Sequence, residues 1–295
     1  MNVSAEQVDD SSLSSSSSGS TDDEHNFVGR YRSCTANMAT DRDAVEYNMR
    51  HKNRGLALIF NHETFDVRTI EPRTGTNVDC ENLTKVLKKL DFDVNVFNDC
   101  RLNELKQQLV RASQMDHSEN DCILVVILSH GEHGYIYAKD VQYKLDAIWS
   151  YFTPQKCPSL AGKPKLFFIQ ACQGDECDPG VTLNRHTETD GDSSMSYKIP
   201  LYADFLIAYS TIPGFVSWRN PELGSWFIHA LYTELEMNGK RLDILTLLTF
   251  VCRRVAIDWQ SYAPDTPKKH EQKQIPCFTS MLTRILRFGE RRASQ

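Results

Sequence analysis

Features typical of membrane or nucleic-acid binding are missing from this sequence. No N-terminal segment combines basic residues with an apolar run, and the longest apolar stretch, residues 122–128, is too short to span a bilayer. The 33 basic and 39 acidic residues give a net charge of −6, so no cationic excess attracts nucleic acid or anionic lipid. We therefore expect a soluble, unsecreted, cytoplasmic protein whose partners are proteins or peptides.

Signatures of metals and cofactors are also missing. The nine cysteines are an odd number scattered along the chain, which favours reduced thiols over a disulfide framework. No Cys-x-x-Cys occurs, and the closest pair, Cys172 and Cys177, has no histidine at a useful offset. The chain also lacks a dinucleotide glycine fingerprint and a Walker loop, which weighs against a nucleotide-binding α/β enzyme. We expect no metal and no cofactor.

The chain divides into a leader and one large folded region. Residues 1–43 are rich in serine and acids, and such a composition cannot bury enough apolar surface to offset the entropy of ordering, so a disordered leader is predicted. From Arg54 onwards, short apolar runs alternate with helical periodicity, which indicates an α/β domain. Residues 175–198 lose this periodicity and are predicted to form a flexible linker.

The hydrophobic pattern predicts individual elements. Strands are expected at residues 56–60, 92–96, 122–128, 165–170, 205–209 and 275–279, and helices at residues 78–90, 102–109, 145–152, 226–235 and 242–255. Two of these strands are continuous apolar runs, as expected for strands covered on both faces. One ends just before His130 and the other just before Cys172. Because ligands in open α/β sheets bind outside the carboxyl ends of the strands, we place the chemistry there.

Cys172 lies in a specific motif. A free cysteine after a buried strand is most often a small core residue. Here, however, Gln170-Ala171-Cys172-Gln173-Gly174 matches the caspase nucleophile signature fully, and His130 lies about 40 residues upstream. The chain resembles the caspase family, and specifically insect effector caspases, from about Tyr47 to Phe288. The other matching segments are Arg73-Thr74-Gly75-Thr76-Asn77-Val78-Asp79, Ser129-His130-Gly131-Glu132, Gly162-Lys163-Pro164-Lys165, Ser217-Trp218-Arg219-Asn220 and Gly224-Ser225-Trp226.

The resemblance implies a fold and a catalytic set. The expected fold is a caspase-like three-layer sandwich, in which a mostly parallel six-stranded sheet carries helices on both faces. Cys172 would be the nucleophile and His130 its acid–base partner. Only a few per cent of an ordinary thiol is thiolate at neutral pH, so a nearby imidazole must accept and return the thiol proton. The backbone N–H groups of Gly131 and Cys172 would form the oxyanion hole.

Other residues match the family's substrate-binding positions. Arg73, Gln170 and Arg219 would surround the aspartate side chain that precedes the cut bond, which two guanidinium forks and an amide suit well. The upstream subsites would be formed by Ser217, Asn220 and the aromatic walls Trp218 and Trp226. The polar residues around both tryptophans indicate that they are not core residues. Effector members usually carry an aromatic residue where this chain has Val216, so we expect a wider pocket for the residue just before the aspartate.

The resemblance also implies a zymogen. Thr187-Glu188-Thr189-Asp190 ends in aspartate within the predicted linker, so cleavage after Asp190 would separate a large subunit (44–190) from a small one (191–295), while residues 44–174 and 199–288 form one catalytic domain. Further candidate cuts in the leader follow Asp22, Asp23, Asp41 and Asp43. A cut after Asp43 would expose Ala44-Val45, which resembles the N-terminal motif bound by inhibitor-of-apoptosis proteins.

We expect an effector caspase that is activated by an upstream initiator caspase, assembles as a homodimer through its last strand and cuts cellular proteins during apoptosis. The alternative is a catalytically silent, caspase-like regulator that binds partners through the same fold. Intact Cys172, His130, Arg73 and Arg219 weigh against it.

Overall fold

The computed structural model describes residue 36 and residues 38–132, 134–178 and 200–290. Within them lie eleven strands and five α-helices: β1 (Leu56–Asn61), α1 (Thr76–Lys89), β2 (Asp93–Asn98), α2 (Leu102–Gln114), β3 (Ile123–Leu128), β4 (Gly131–Glu132), β5 (Tyr135–Tyr137), β6 (Gln142–Lys144), α3 (Asp146–Trp149), β7 (Lys165–Gln170), β8 (Phe205–Tyr209), β9 (Arg219–Asn220), β10 (Gly224–Ser225), α4 (Trp226–Asn238), α5 (Ile244–Asp258) and β11 (Cys277–Ser280).

Six of these strands form the central sheet, in the order β11-β8-β7-β3-β1-β2. Five of these strands, β1, β2, β3, β7 and β8, are parallel to one another. Strand β11 runs antiparallel to its neighbour β8, at one edge of the sheet. All residues of β1, β3 and β7 are buried. This confirms the prediction of a mostly parallel sheet whose central strands are covered on both sides.

Two hydrophobic cores lie on opposite faces of the sheet, because successive strand side chains alternate in direction. In β1, Ala57 and Ile59 join the core under α1, α4 and α5, whereas Leu56, Leu58 and Phe60 join the core under α2 and α3. Helices therefore cover both faces, which confirms the three-layer expectation.

The structure differs from the expected elements in a few places. The helix expected at 145–152 is α-helical only in α3 and continues as a 3₁₀ turn, Ser150–Phe152. A three-stranded sheet of β4, β5 and β6 and the two-stranded β9–β10 hairpin were not predicted. Their strands have only two or three residues, which is too short for an alternating pattern to stand out.

Some residues inside the predicted leader and the predicted linker make ordered contacts. Arg284 donates hydrogen bonds to the carbonyl oxygens of Asp41 (3.1 Å) and Arg42 (3.0 Å), so ordered contacts begin before the leader boundary at residue 43. At the other segment, Glu176 pairs with Phe215 and Asp178 with Lys273, so the first residues of the predicted linker make ordered contacts. A side chain far away in sequence contacts the first stretch and main-chain pairing holds the second, and local composition predicts neither contact.

Every helix in the described part of the chain is too short or too polar to span a lipid bilayer.

Candidate active site

The site lies where β3 and β7 end. These strands pair in parallel with Leu128 opposite Gln170, so His130 and Cys172, each two residues further on, leave the sheet side by side. Gly131 permits this close approach. A Cβ atom at Gly131 would lie 2.7 Å from the carbonyl oxygen of Cys172 and 2.9 Å from Cβ of Ala171. The structure therefore brings together the histidine, the glycine and the cysteine that the sequence singled out.

His130 is held in the form needed of a base. Its Nε2 lies 2.8 Å from the carbonyl oxygen of Glu71. Because a carbonyl can only accept a hydrogen bond, Nε2 carries the proton and Nδ1 keeps a free lone pair. The ring also contacts the ring of Phe65, with centroids 5.2 Å apart. Burial, opposed by the Glu71 hydrogen bond and aided by the charges of Arg73 and Arg219, lowers the pKa of His130 to about 4. The imidazole is therefore neutral at pH 7 and able to accept a proton.

Cys172 is partly buried and touches the loop that carries the substrate-binding residues. Its Sγ accepts a hydrogen bond from the backbone N–H of Ser217 at 3.3 Å. Burial lowers the pKa of both Arg73 and Arg219, and the sulfur of Cys172 lies close enough to interact electrostatically with both guanidinium groups.

The three residues expected to bind aspartate come together in a buried cationic slot. Arg73 is 1% exposed and donates from Nη1 to the carbonyl oxygen of His62 (3.1 Å) and to Oγ1 of Thr76 (2.6 Å). Arg219 donates from Nε to the carbonyl oxygen of Thr74 (2.8 Å). Gln170 is 2% exposed and donates from Nε2 to Oγ of Ser217 (2.8 Å).

The protein leaves two hydrogen-bonding atoms of this slot without partners. Nη2 of Arg73 and Oε1 of Gln170 are buried without a hydrogen-bond partner. Burial first, and the neighbouring Arg219 second, lower the pKa of Arg73 to about 9. A buried guanidinium with a free N–H group and a second cation beside it is costly, and an anion entering the slot would relieve both problems.

The two tryptophans occupy different environments. Trp226 is only 5% exposed and belongs to the main core, which corrects the expectation that it is not a core residue. Its ring stacks between Trp218 (5.8 Å between centroids) and Trp259 (5.6 Å). Trp218 is half-buried against the core. Trp226 therefore packs against the ring of Trp218, and its place as the first residue of the apolar helix α4 explains its burial.

Asn220 and Val216 lie on the same loop and hairpin. The Asn220 side-chain oxygen accepts the N–H groups of Glu222 (2.8 Å) and Leu223 (3.0 Å), so it holds the turn and only its Nδ2 remains for a ligand. Val216 is partly buried, and its N–H donates to the carbonyl oxygen of Glu176 at 2.9 Å. The segment after the nucleophile thus forms a ladder with the substrate-binding loop. Gly174 makes this contact tight, since a Cβ there would lie 2.2 Å from the oxygen of Gly214.

Sequence reasoning gave no role to two buried polar residues behind the site. Asp79 accepts hydrogen bonds from the N–H (2.9 Å) and the hydroxyl of Ser225, and so fastens the β9–β10 hairpin to α1. Gln274 accepts the N–H of Trp218 at 2.6 Å. Asp79 belongs to a matching motif, but its partner is far away in sequence. Nothing in the local sequence of Gln274 marks it.

Some expected residues lie outside the described part of the chain. They are the cleavage candidates Asp22, Asp23 and Asp190. Among the described residues, no group of three or more His, Cys, Asp or Glu side chains could hold a metal ion.

Comparisons with known proteins agree with this geometry. A family model described as a caspase domain matches residues 54–287. Caspase drICE of Drosophila melanogaster is 70% identical over 262 residues, which cover 88% of this chain and 77% of that protein. Caspase-1 of Spodoptera frugiperda is 59% identical over 258 residues, covering 88% of this chain and 86% of the relative. The crystal structure of Caspase-1 from Spodoptera frugiperda superposes with a TM-score of 0.83 at 56% identity, covering 88% of this chain and all (100%) of that one.

Proposed function

The chain belongs to the caspase family and is a cysteine endopeptidase of the effector type, and we propose that it cuts protein substrates after aspartate with Cys172 as nucleophile and His130 as acid and base. The observation that carries this proposal is the buried, incompletely satisfied cationic slot of Arg73, Gln170 and Arg219 beside the sulfur of Cys172. An anionic side chain on the residue preceding the cut bond would give Nη2 of Arg73 a hydrogen-bond partner and bring a negative charge to both guanidinium groups.

The proposed reaction begins with attack by Sγ of Cys172 on the backbone carbonyl carbon of the substrate aspartate. His130 takes up the thiol proton at Nδ1 and passes it to the leaving amine as the C–N bond breaks. The result is a thioester, which a water molecule hydrolyses with His130 again accepting and returning a proton. The N–H groups of Gly131 and Cys172 bind the oxyanion, and each such donor typically contributes about 10²–10³ in rate.

Specificity for aspartate follows from the cost of leaving the slot unfilled. A substrate with asparagine would bring no negative charge to the buried guanidinium of Arg73 or the partly buried one of Arg219. Sites built on buried polar groups discriminate against such substrates by roughly 10⁴. We assign Ser217, Trp218, Asn220 and Val216 to the subsites for the residues upstream of the aspartate.

One assay separates this proposal from the silent-regulator alternative. A fluorogenic peptide ending in aspartate should be hydrolysed by the wild-type chain and not by Cys172→Ala or His130→Ala. The same peptide ending in asparagine should be cut about 10⁴-fold more slowly. Absence of hydrolysis by a processed, folded wild-type chain would favour the silent regulator.

We further propose that cleavage after Asp190 by an upstream initiator caspase converts the zymogen to large and small subunits. The support is the placement of the site: Cys172 and His130 lie before this residue, and Trp218 and Arg219 after it. Asp190→Ala should accumulate as an uncut chain of low activity. A fully active, uncut variant would contradict the proposal.

In the leader, cleavage after Asp43 would leave Ala44 at the N-terminus for an inhibitor-of-apoptosis protein. The turn from Asp41 to Ala44 opposes both the cleavage and the binding of the new N-terminus. The Ala44 N–H donates to the carbonyl of Asp41 (3.1 Å), and the Ile285 N–H donates to the carbonyl of Val45 (2.9 Å). We propose that residues 41–45 must detach from the folded domain before the cut can occur. N-terminal sequencing of the mature large subunit tests the cut.

Caspases assemble as dimers, and we propose that two copies of this chain pair through β11. The support is the position of β11 at one edge of the central sheet. Analytical ultracentrifugation of the processed enzyme, with Thr279→Arg as the interface variant, tests this pairing.

A further inference from the structure

Gln274 lies behind the active site, outside any contact expected for a substrate. It is 2% exposed and belongs to the segment between the loop after α5 and β11. Its Oε1 accepts the N–H of Trp218 at 2.6 Å. Its Nε2 donates to the carbonyl oxygen of Ser210 at 2.7 Å and to Oγ of Ser217 at 3.4 Å.

Each partner of Gln274 leads directly to a functional residue. Oγ of Ser217 also accepts the amide of Gln170, and the N–H of Ser217 donates to Sγ of Cys172. The hydroxyl of Ser210 donates to the carbonyl oxygen of Ala171 at 2.8 Å, one residue before the nucleophile. One buried amide therefore ties the end of β8, the substrate-binding loop and the nucleophile segment together.

The chemistry at this position requires an amide of glutamine length. One end must accept a hydrogen bond while the other donates two, and only Gln and Asn side chains offer both. A glutamate would place an oxygen against the carbonyl of Ser210. A methionine, similar in size, would leave the Trp218 N–H and the Ser210 carbonyl buried without partners.

We propose that Gln274 is a positioning and specificity-determining residue that holds Ser217 so that Gln170 presents its remaining N–H to the substrate aspartate and Cys172 keeps its backbone donor. This inference rests on the proposed function, because it gives the aspartate slot its shape. Gln274 itself does not touch the substrate.

The experiment compares Gln274→Met with Gln272→Met in the processed enzyme. Gln272 is a matched control, since its amide donates to the nearby carbonyl of His270 (2.7 Å), away from the site. For Gln274→Met we expect kcat/KM on an aspartate peptide to fall about 10- to 100-fold, mainly through KM, because two buried hydrogen-bonding groups lose their partners. The preference for aspartate over glutamate should narrow by about 10-fold. Gln272→Met should match wild type.

Two further measurements keep the inference testable. Ser217→Ala removes only the shared hydroxyl, and in a double-mutant cycle its effect should be less than additive with Gln274→Met. If Gln274→Met does not fold, Ser217→Ala alone should still narrow the aspartate preference. An unchanged preference in either variant, or a loss of thermal stability with KM and preference unchanged, overturns the proposal.

Alkylation separates failure of this inference from failure of the proposed function. If wild type does not cut aspartate peptides, the proposed function is wrong. The rate at which iodoacetamide modifies Cys172 still reports its backbone donor, and we expect it to be about 3- to 10-fold lower in Gln274→Met than in Gln272→Met. Equal rates would refute the positioning role.

Discussion

Replacing Gly131 by alanine tests the spacing between the two strand ends that carry the site. The new Cβ would lie 2.7 Å from the Cys172 carbonyl oxygen, 2.9 Å from Cβ of Ala171 and 3.0 Å from the carbonyl oxygen of Tyr135. Ordinary carbon contacts are about 3.5 Å or longer, so the overlap is about 0.5–0.8 Å. None of these three atoms belongs to a side chain that can rotate away, so the backbone of Gly131 or of Cys172 must move.

That movement displaces the two N–H groups proposed to bind the oxyanion. A misplacement of this size can lower turnover by about 10²-fold, and losing one oxyanion donor costs about 10²–10³. We therefore expect kcat to fall about 100-fold while KM changes little, because the aspartate slot is built by other residues. Forcing a methyl group into this packed contact should also lower the free energy of unfolding by about 1–3 kcal/mol.

Gly134→Ala is the matched control. Its Cβ would meet nothing within 4 Å, but its φ of +77° strains any other residue by about 1–2 kcal/mol. The control should therefore lose some stability and keep its kcat. Steady-state kinetics on an aspartate peptide and thermal unfolding measure both effects. If Gly131→Ala turned over at the wild-type rate, the inferred role of this close contact would be wrong.

Three further predictions concern the surroundings of the site. Asp79→Ala should destabilise the enzyme by about 2–3 kcal/mol in thermal unfolding, because it removes two buried hydrogen bonds to a carboxylate, and Asp79→Asn should recover about half. Burial lowers the pKa of His62 to about 4, so the unfolded chain binds the extra proton and stability should fall as pH drops from about 6.5 to 4, by on the order of 3 kcal/mol. In urea titrations at pH 4.5 and 7.5, His62→Gln should lose less stability on acidification than wild type, while the lowered pKa of His130 keeps part of the pH dependence. Finally, a peptide library should reveal tolerance of bulky residues just before the aspartate, and Val216→Tyr should shift the preference to small ones; a wild-type profile restricted to small residues would contradict the wide pocket.

The positions of the main strands were predictable because each strand contains a short run of consecutive apolar residues in the sequence. β7 and β8 were predicted with their observed bounds, Lys165–Gln170 and Phe205–Tyr209. The motif around Cys172 and its place at the end of a buried strand were likewise readable, and the family resemblance inferred from it is confirmed by the caspase-domain match. Each of these features depends on a few consecutive residues.

Contacts between segments that are distant along the chain could not be predicted from the sequence. Asp79 and Ser225 are separated by 146 residues, and Trp218 and Gln274 by 56. Polar composition around Trp226 suggested an exposed ring, yet α4 carries it into the core. The stretch after Cys172 resembled a linker, yet its backbone pairs with the loop at Gly214 and Phe215.

The sequence alone determined the chemistry available to this protein: a thiol, an imidazole, two guanidinium groups and an amide, each at a position with a local signal. Tertiary structure decided how that chemistry is arranged. Parallel pairing of β3 and β7 placed His130 beside Cys172, and burial set the pKa of the histidine. The hydrogen bonds of Asp79 joined the two halves of the chain, and those of Gln274 joined distant segments within the second half. The physical reason is that hydrogen bonding and desolvation depend on which atoms meet in space, and residues far apart in sequence supply most of those atoms here.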